Sequence, residues 1–231
     1  MAAKARAIVS WSSGKDAAWA LHLVRESGVE VQGIFTTLAA PGRVAVHRVP
    51  EALLDRQAAA LGLPCEKVPL PWPCPNAVYE AEVGRVLRSA KRRGVTHVVF
   101  GDLFLEDLRA WREARLSELG LAGFFPLWGR DTTVLAREML AAGLEARLAC
   151  VDRSKLATSF AGRRWDAALL ADLPAGVDPC GENGEFHTFA SAGPMFRAPI
   201  DVDVSGVVED RGFAFAELVP AAPGPPPTAP R

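Results

Sequence analysis

The order of apolar and amphipathic stretches over the first 150 residues constrains this chain more than any other feature of its 231 residues. "ARAIV" at 5–9 is a short apolar run of strand type, and a helix-like stretch follows it to Gly28. "VEVQGIFTT" at 29–37 reads as a second strand. In "PEALLDRQAAALGL" the apolar residues Leu53, Leu54, Ala58 and Leu61 recur at helical spacing, with Pro50 suited to the first turn and Gly62 to the stop. "CEKVPL" is a short strand candidate. Residues 76–93 form the next helix, with Tyr79, Val83, Val86, Leu87 and Ala90 on one side. Lys91, Arg92 and Arg93 complement its C-terminal dipole, and Gly94 ends it. "VTHVVFGD" is the clearest buried strand, and helix 105–119, strand "GFFPLW", helix 131–142 and strand "EARLACVD" continue the rhythm. Strands alternating with helices predict an α/β fold, a doubly wound and mainly parallel sheet with helices on both faces.

After Val151 the rhythm breaks into short helical pieces, the turn-rich "DPCGENGEFHTF" and a hairpin pattern, "IDVDVSGVVEDRGFAFAELV". The expected organisation is an α/β domain over 1–129, a smaller C-terminal domain over 130–219, and a proline-rich, disordered tail over 220–231. A hydrophobic content of 49% is ample for a core. The net charge of −1 marks no broad surface for nucleic acid or anionic membrane. No apolar run approaches the roughly 20 residues of a membrane span, and "MAAKARAIVS" has no signal-peptide core, so a cytoplasmic location without membrane partners is expected. Cys65, Cys74, Cys150 and Cys180 are scattered with no C-x-x-C pair, which points to reduced structural thiols rather than zinc or iron–sulfur ligands.

The residues joining the first strand to the first helix, "SWSSGKDAAWAL" at 10–21, raise the question of function. Ligands of doubly wound sheets bind outside the carboxyl ends of the strands, where strand order reverses. Successive N–H groups and the positive end of a helix dipole make an anion site there. Gly14 allows close backbone approach, Ser10, Ser12 and Ser13 supply hydroxyls, and Lys15 and Asp16 supply charge. The same residues also read as a plain helix cap, with Ser13 or Asp16 satisfying the first N–H groups. The common nucleotide loop G-x-x-x-x-G-K-[ST] is excluded, because Val9 and Asp16 stand at its first glycine and its hydroxyl position.

The loop resembles instead the pyrophosphate-binding loop S-G-G-x-D-S of the PP-loop ATP pyrophosphatases, in which cleavage of ATP falls between the α- and β-phosphates. Ser13 and Ala17 depart from that pattern, and Ala17 removes one hydroxyl contact. "VVFGDLFLEDLRAWRE" and "DPCGENGEFHTF", with "FPLWG" and "VDRSKL" between them, resemble the shorter relatives of the diphthine–ammonia ligase family. The likeness covers nearly the whole chain up to the tail. It implies a PP-loop/HUP-like nucleotide-binding domain followed by a smaller domain that closes over the ATP site. It also implies ATP and Mg2+ as cofactors, and adenylation of a carboxylate followed by attack of ammonia. The acid, whether a small molecule or protein-borne, is left open.

On this resemblance Ser10, Ser12, Ser13, Gly14, Lys15 and Asp16 are expected at the phosphates, Thr36 at the adenine, and Gly101 at the same sheet edge. Asp102 is the expected Mg2+ ligand, although a loop-capping carboxylate explains it equally well. Arg109 and Glu113 are expected at the substrate, against an ion-pair face of a solvated helix. The stretch "CGENGEFHT" crowds Glu182, Asn183, Gly184, Glu185, His187 and Thr188 together, more than a turn requires. Lys15, Asp102, Glu182, Glu185 and His187 are the catalytic candidates, with a glutamate handling the proton of ammonia, and Asn183, Gly184 and Thr188 are expected to touch substrate. His22, His47 and His97 read as ordinary helix, loop and strand residues. An RNA-modifying PP-loop enzyme is disfavoured by the neutral charge. A non-catalytic nucleotide-binding module remains a further reading, and a homodimer is compatible with the sequence.

Overall fold

A computed structural model describes residues 5–39 and 42–221, and the expected tail lies outside them from residue 222 onward. The parallel strands of the first sheet are β1 (Arg6–Ser10), β2 (Glu30–Ala39), β4 (Cys65–Leu70), β5 (His97–Val99) and β6 (Ala122–Phe124), in the order β4-β2-β1-β5-β6. A two-residue strand, β3 (Arg43–Val44), pairs antiparallel with the end of β2. Strand order reverses between β1 and its neighbours β2 and β5, so the turns leaving β1 and β5 share one edge.

The helices are α1 (Lys15–Glu26), α2 (Glu51–Leu61), α3 (Asn76–Arg92), α4 (Glu106–Glu118), α5 (Thr132–Ala141) and a short α6 (Ala167–Asp172). Their ends follow local chemistry. Gly62 closes α2 with φ 64°, which costs a residue lacking Cβ nothing. The carboxylates of Asp131 and Asp166 accept from the N–H groups of Val134 and Leu169, capping α5 and α6. The helices α3 and α4 cover one face of the parallel sheet, packing Val83, Val86, Leu87 and Leu116 against Ile8, Phe35 and Val98.

On the other face lie α1 and α2, and a second sheet covers them. It is antiparallel, with β7 (Glu145–Asp152), β8 (Phe186–Ala192), β9 (Val202–Asp210) and β10 (Phe213–Pro220) in the order β8-β7-β10-β9. The stretch α1 meets β8 and α2 meets β10, so Leu21, Leu53 and Leu54 share one core with Leu148 and Phe189. A sheet-on-helix arrangement of this kind buries the second face of each helix.

Three expectations are corrected here. "EARLACVD" is a strand, but it pairs antiparallel in the second sheet rather than extending the parallel one. "GFFPLW" is a strand only as far as Phe124, after which Pro126 offers no N–H and Phe125 turns to stack on Phe100 at 5.3 Å. The turn-rich stretch becomes strand at Phe186, which puts His187 and Thr188 on β8.

The buried stripe of α2 holds a polar residue, Gln57, which is 0% exposed and takes the interior place expected of Ala58. Its amide is fully used: Oε1 accepts from Trp11 Nε1 at 2.9 Å, and Nε2 donates to the carbonyls of Ser13 at 3.0 Å and Ala190 at 2.7 Å. One side chain therefore ties α2, the turn after β1 and the second sheet. Gln57→Leu keeps the volume but strands the Trp11 indole N–H and takes one donor each from the Ser13 and Ala190 carbonyls, and should lower unfolding free energy by about 1–3 kcal/mol in denaturant titration. A loss within 0.5 kcal/mol would show that water replaces the amide.

Candidate active site

The turn after β1 is built around Ser13, which adopts a left-handed backbone with φ 72°. Its carbonyl accepts from Ala190 N–H at 2.9 Å as well as from Gln57, so the second sheet holds the turn in place. Ser13 is 0% exposed and its hydroxyl has no hydrogen-bond partner. Gly14 precedes α1 without a side-chain cap, and its N–H points to Ser12 Oγ at 3.3 Å. A Cβ there would lie 3.1 Å from His47 Cε1 and 3.3 Å from both Ser12 Oγ and Thr188 Oγ1. The plain helix cap thus fails for Ser13, whose buried hydroxyl stays unsatisfied, while Thr188 Oγ1 takes the first helical N–H, that of Lys15.

Lys15 departs from expectation. It is 1% exposed, and its ammonium is enclosed by Asp16 at 2.8 Å, the carbonyl of Cys180, and the rings of Trp165 and Phe186 at 5.4 and 5.6 Å. Burial opposes the charge, but Asp16, joined by Cys180 and Asp178, outweighs it and holds the Lys15 pKa above the usual lysine value. A lysine so enclosed has no free donor for a phosphate and acts as a post between the two sheets. Thr188 joins the same lock, its hydroxyl accepting from Lys15 N–H at 3.1 Å.

The turn after β5 meets this loop. A Cβ on Gly101 would fall 2.7–2.9 Å from backbone atoms of Asp16 and Ala17, so only glycine lets the two turns touch. The next residue, Asp102, lies 3.1 Å from Arg112 Nε, near enough for an ion pair but not aligned as a hydrogen bond. Burial raises its pKa against the pull of Arg112. Arg112, which helical spacing places close to the face of Arg109, in turn lies over Phe100 at 4.1 Å. The pair Arg109–Glu113 forms a surface ion pair at 2.9 Å, with Arg109 over Phe125 and Trp128. These two are not brought to the loop by any contact among the described residues.

From the second sheet's side, residues 178–185 bridge the gap. Glu182 Oε1 accepts from Leu103 N–H at 2.8 Å, just past Asp102. Burial, with Asp16 and Asp102 nearby, pushes its pKa up to about 7. Glu185 behaves differently: Oε1 accepts from Asp178 N–H at 3.3 Å and Asn183 Nδ2 at 3.1 Å, and Oε2 is buried without a partner. It braces its own turn, together with Asn183 and with Asp178, which accepts from Glu182 N–H at 2.8 Å. Thr36 is also spoken for, its hydroxyl donating to Trp11 O at 2.8 Å. Ser10 closes β1 immediately before the loop.

His187 stacks on His47, with ring centroids 4.7 Å apart. The reading of His47 as an ordinary loop residue is thereby corrected, since it lies against Gly14. No periodicity marks a histidine in so short a connection, so only tertiary contact reveals it. His187 and Gly184 also line a cavity of about 610 Å³. Its other walls are Val44 on β3 and Phe213 and Phe215 on β10. Among the described residues no group of three or more His, Cys, Asp or Glu side chains could hold a metal, and all four cysteines are free.

A doubly wound α/β sheet with an anion-type turn after its first strand, roofed by a second sheet, defines the class. The chain belongs to the diphthamide synthase family: the N-terminal domain of that family matches residues 5–123 and the C-terminal domain residues 131–216. It is 30% identical over 133 residues to a diphthine–ammonia ligase of Rattus norvegicus, 36% over 133 to that of Homo sapiens and 34% over 130 to that of Danio rerio. These matches take in 54–55% of this chain, and it spans only about half the length of those relatives, 50–51%. A solved structure described as a predicted subunit of tRNA methyltransferase from Methanocaldococcus jannaschii is similar at 13% identity, with a TM-score of 0.40, over 85% of this chain and 100% of that one. Among the described residues no helix is long and apolar enough to cross a membrane.

Glu182 supplies a pH test of this geometry. Its folded-state pKa, about 7, lies above the unfolded carboxylate value of about 4.3, so the folded state holds the extra proton between them. Its contribution is therefore fully present below the unfolded value and is lost as pH rises through about 7. Glu182→Gln, which still accepts from Leu103, should flatten the fall in stability between pH 5 and 8 measured by denaturation. An unchanged slope would place the carboxylate in water.

Proposed function

We propose that this chain is an ATP-dependent, AMP-forming ligase that activates a carboxylate and amidates it with ammonia. The observation that carries the reading is the turn Ser12–Asp16 at the reversal of strand order, where Ser13's buried hydroxyl has no partner. Family membership supports it, since diphthine–ammonia ligases match over half their length. The same reading divides the chain into a nucleotide domain over 1–129 and a closing domain over 130–219.

In this mechanism the backbone of the turn and of the start of α1, apart from the Lys15 N–H that Thr188 takes, holds the triphosphate with the hydroxyls of Ser12 and Ser13. Asp102 would hold Mg2+. Its Oδ2 has no hydrogen bond, and this ion takes one or two carboxylates with phosphate oxygens completing its shell. The ion would neutralise charge on the phosphates. The acid occupies the 610 Å³ cavity, a volume ordinary for a small ligand. A carboxylate oxygen attacks the α-phosphorus, and the bond to the β-phosphate oxygen breaks, releasing pyrophosphate. Ammonia then attacks the acyl carbon and AMP leaves. Glu182, whose pKa of about 7 suits it to exchange protons, accepts the proton the nitrogen sheds. The roof of the second sheet keeps water from the acyl-adenylate. Lys15 fixes that roof rather than touching phosphate.

Labelled ATP incubated with ammonium and candidate acids should yield AMP and pyrophosphate on chromatography. ADP and phosphate as sole products would overturn the reading. In the same assay, or in pyrophosphate exchange, Glu182→Gln should keep ATP affinity while turnover falls roughly 100-fold. Gly14→Val should do the reverse of that selectivity: its added methyls must displace His47 and Thr188, lowering ATP affinity about tenfold or more with little loss of fold, because φ −86° suits any residue.

A further inference from the structure

His47 is the side chain that comes nearest the glycine of the loop, its Cε1 3.1 Å from where a Cβ on Gly14 would stand. Its Nδ1 lies 3.0 Å from the carbonyl oxygen of Thr188. A carbonyl only accepts, so in the neutral ring the proton sits on Nδ1 and Nε2 is left as an acceptor. Nε2 is bonded to Cε1, the atom that approaches Gly14, and it makes no hydrogen bond among the described residues.

The loop that carries this imidazole is strained and clamped. Val46 and Arg48, on either side of it, are left-handed with φ 66° and 52°, and a β-branched valine rarely adopts that backbone. Arg43 donates to Arg48 O at 3.0 Å, while the Arg48 guanidinium pairs with Asp210 and lies 3.7 Å over the Phe215 ring of the second sheet. The ring itself stacks on His187. A bare acceptor held this firmly beside an anion turn repels a phosphate. The same atom with a proton on it becomes a donor beside that turn.

We propose that His47 is a phosphate-binding residue that takes up a proton as the triphosphate enters, its Nε2–H then donating to a phosphate oxygen while Nδ1–H keeps its bond to Thr188. The proposal rests on the nucleotide reading above and goes beyond it in assigning a residue and a proton. The proton comes from a buffer acid and returns to solvent when the anion leaves. The groups facing His47 are His187 from β8 and Lys15 from α1, the latter paired with Asp16. Burial, then His187 and Lys15, lowers the His47 pKa to about 3, so the empty site is unprotonated at neutral pH. His187, lowered to about 4 by burial and Lys15, is neutral there too. A phosphate anion acts in the opposite sense to these cations.

The test is calorimetric binding of Mg-ATP to the full chain at pH 7, in buffers of different ionisation enthalpy. Wild type is compared with His47→Gln, which keeps a donor but cannot change charge. Wild type should take up about one proton more per ATP than the variant, and its affinity relative to the variant should fall by up to about tenfold per pH unit above neutrality. His47→Asn, smaller and also uncharged, repeats the comparison should glutamine disturb the loop. Equal proton uptake in wild type and both variants would overturn the proposal while leaving the nucleotide site intact. Failure of wild type to bind ATP at all would overturn both.

Discussion

The buried ammonium of Lys15 is the interaction on which the rest of the molecule depends. A lysine at 1% exposure is tolerable only where acceptors replace water, and two are supplied from opposite sides: the Asp16 carboxylate from α1 and the Cys180 carbonyl from the segment before β8. Trp165 and Phe186 close the rest of the shell with their ring faces. Removing either side leaves the ammonium short of acceptors in an apolar interior. The start of α1 is thereby tied to the segment that leads into β8.

Around that post the candidate site is assembled from pieces that no single segment contains. The turn after β1 contributes backbone donors and hydroxyls, and the turn after β5 contributes Asp102, with Gly101 allowing the two to touch. The segment 178–188 contributes Glu182 and His187, and the strained loop before α2 contributes His47. Glu182 reaches across from the segment before β8 to accept from the Leu103 amide, so its carboxylate is positioned by the turn after β5. The two glutamates of "GENGE" differ because one faces the cleft and the other faces its own turn.

Much of the fold was legible in the residue order. The helices α1 to α5 and strands β1, β2, β4 and β7 fall where apolar spacing and end signals place them, because periodicity reports local backbone geometry. The PP-type turn was legible as well, since its serines and glycine follow a strand directly. The partner of a strand was not legible. "EARLACVD" carries a continuous buried run over Leu148–Val151, as a central parallel strand would, and only its partners show that it lies in an antiparallel sheet. Gln57 escaped notice because a polar residue on an apolar stripe looks like an interruption until three partners appear around it. Arg109 and Arg112 share one helix face in the sequence, and only tertiary contact shows that Arg112 is the one beside Asp102.

By itself, then, the sequence determined the α/β rhythm, the location of the phosphate-type turn and the residue types gathered near Cys180, all of which depend on neighbours in the chain. Only tertiary structure decided which charges are free to act. Lys15 and Glu185 carry charge in the sequence but spend it on internal partners, while His47, unremarkable in sequence, stands against Gly14. The physical reason is that a side chain's chemistry is set by what surrounds it, by burial, by opposed charges and by which acceptors lie within about 3 Å, and those surroundings come from residues distant in the chain.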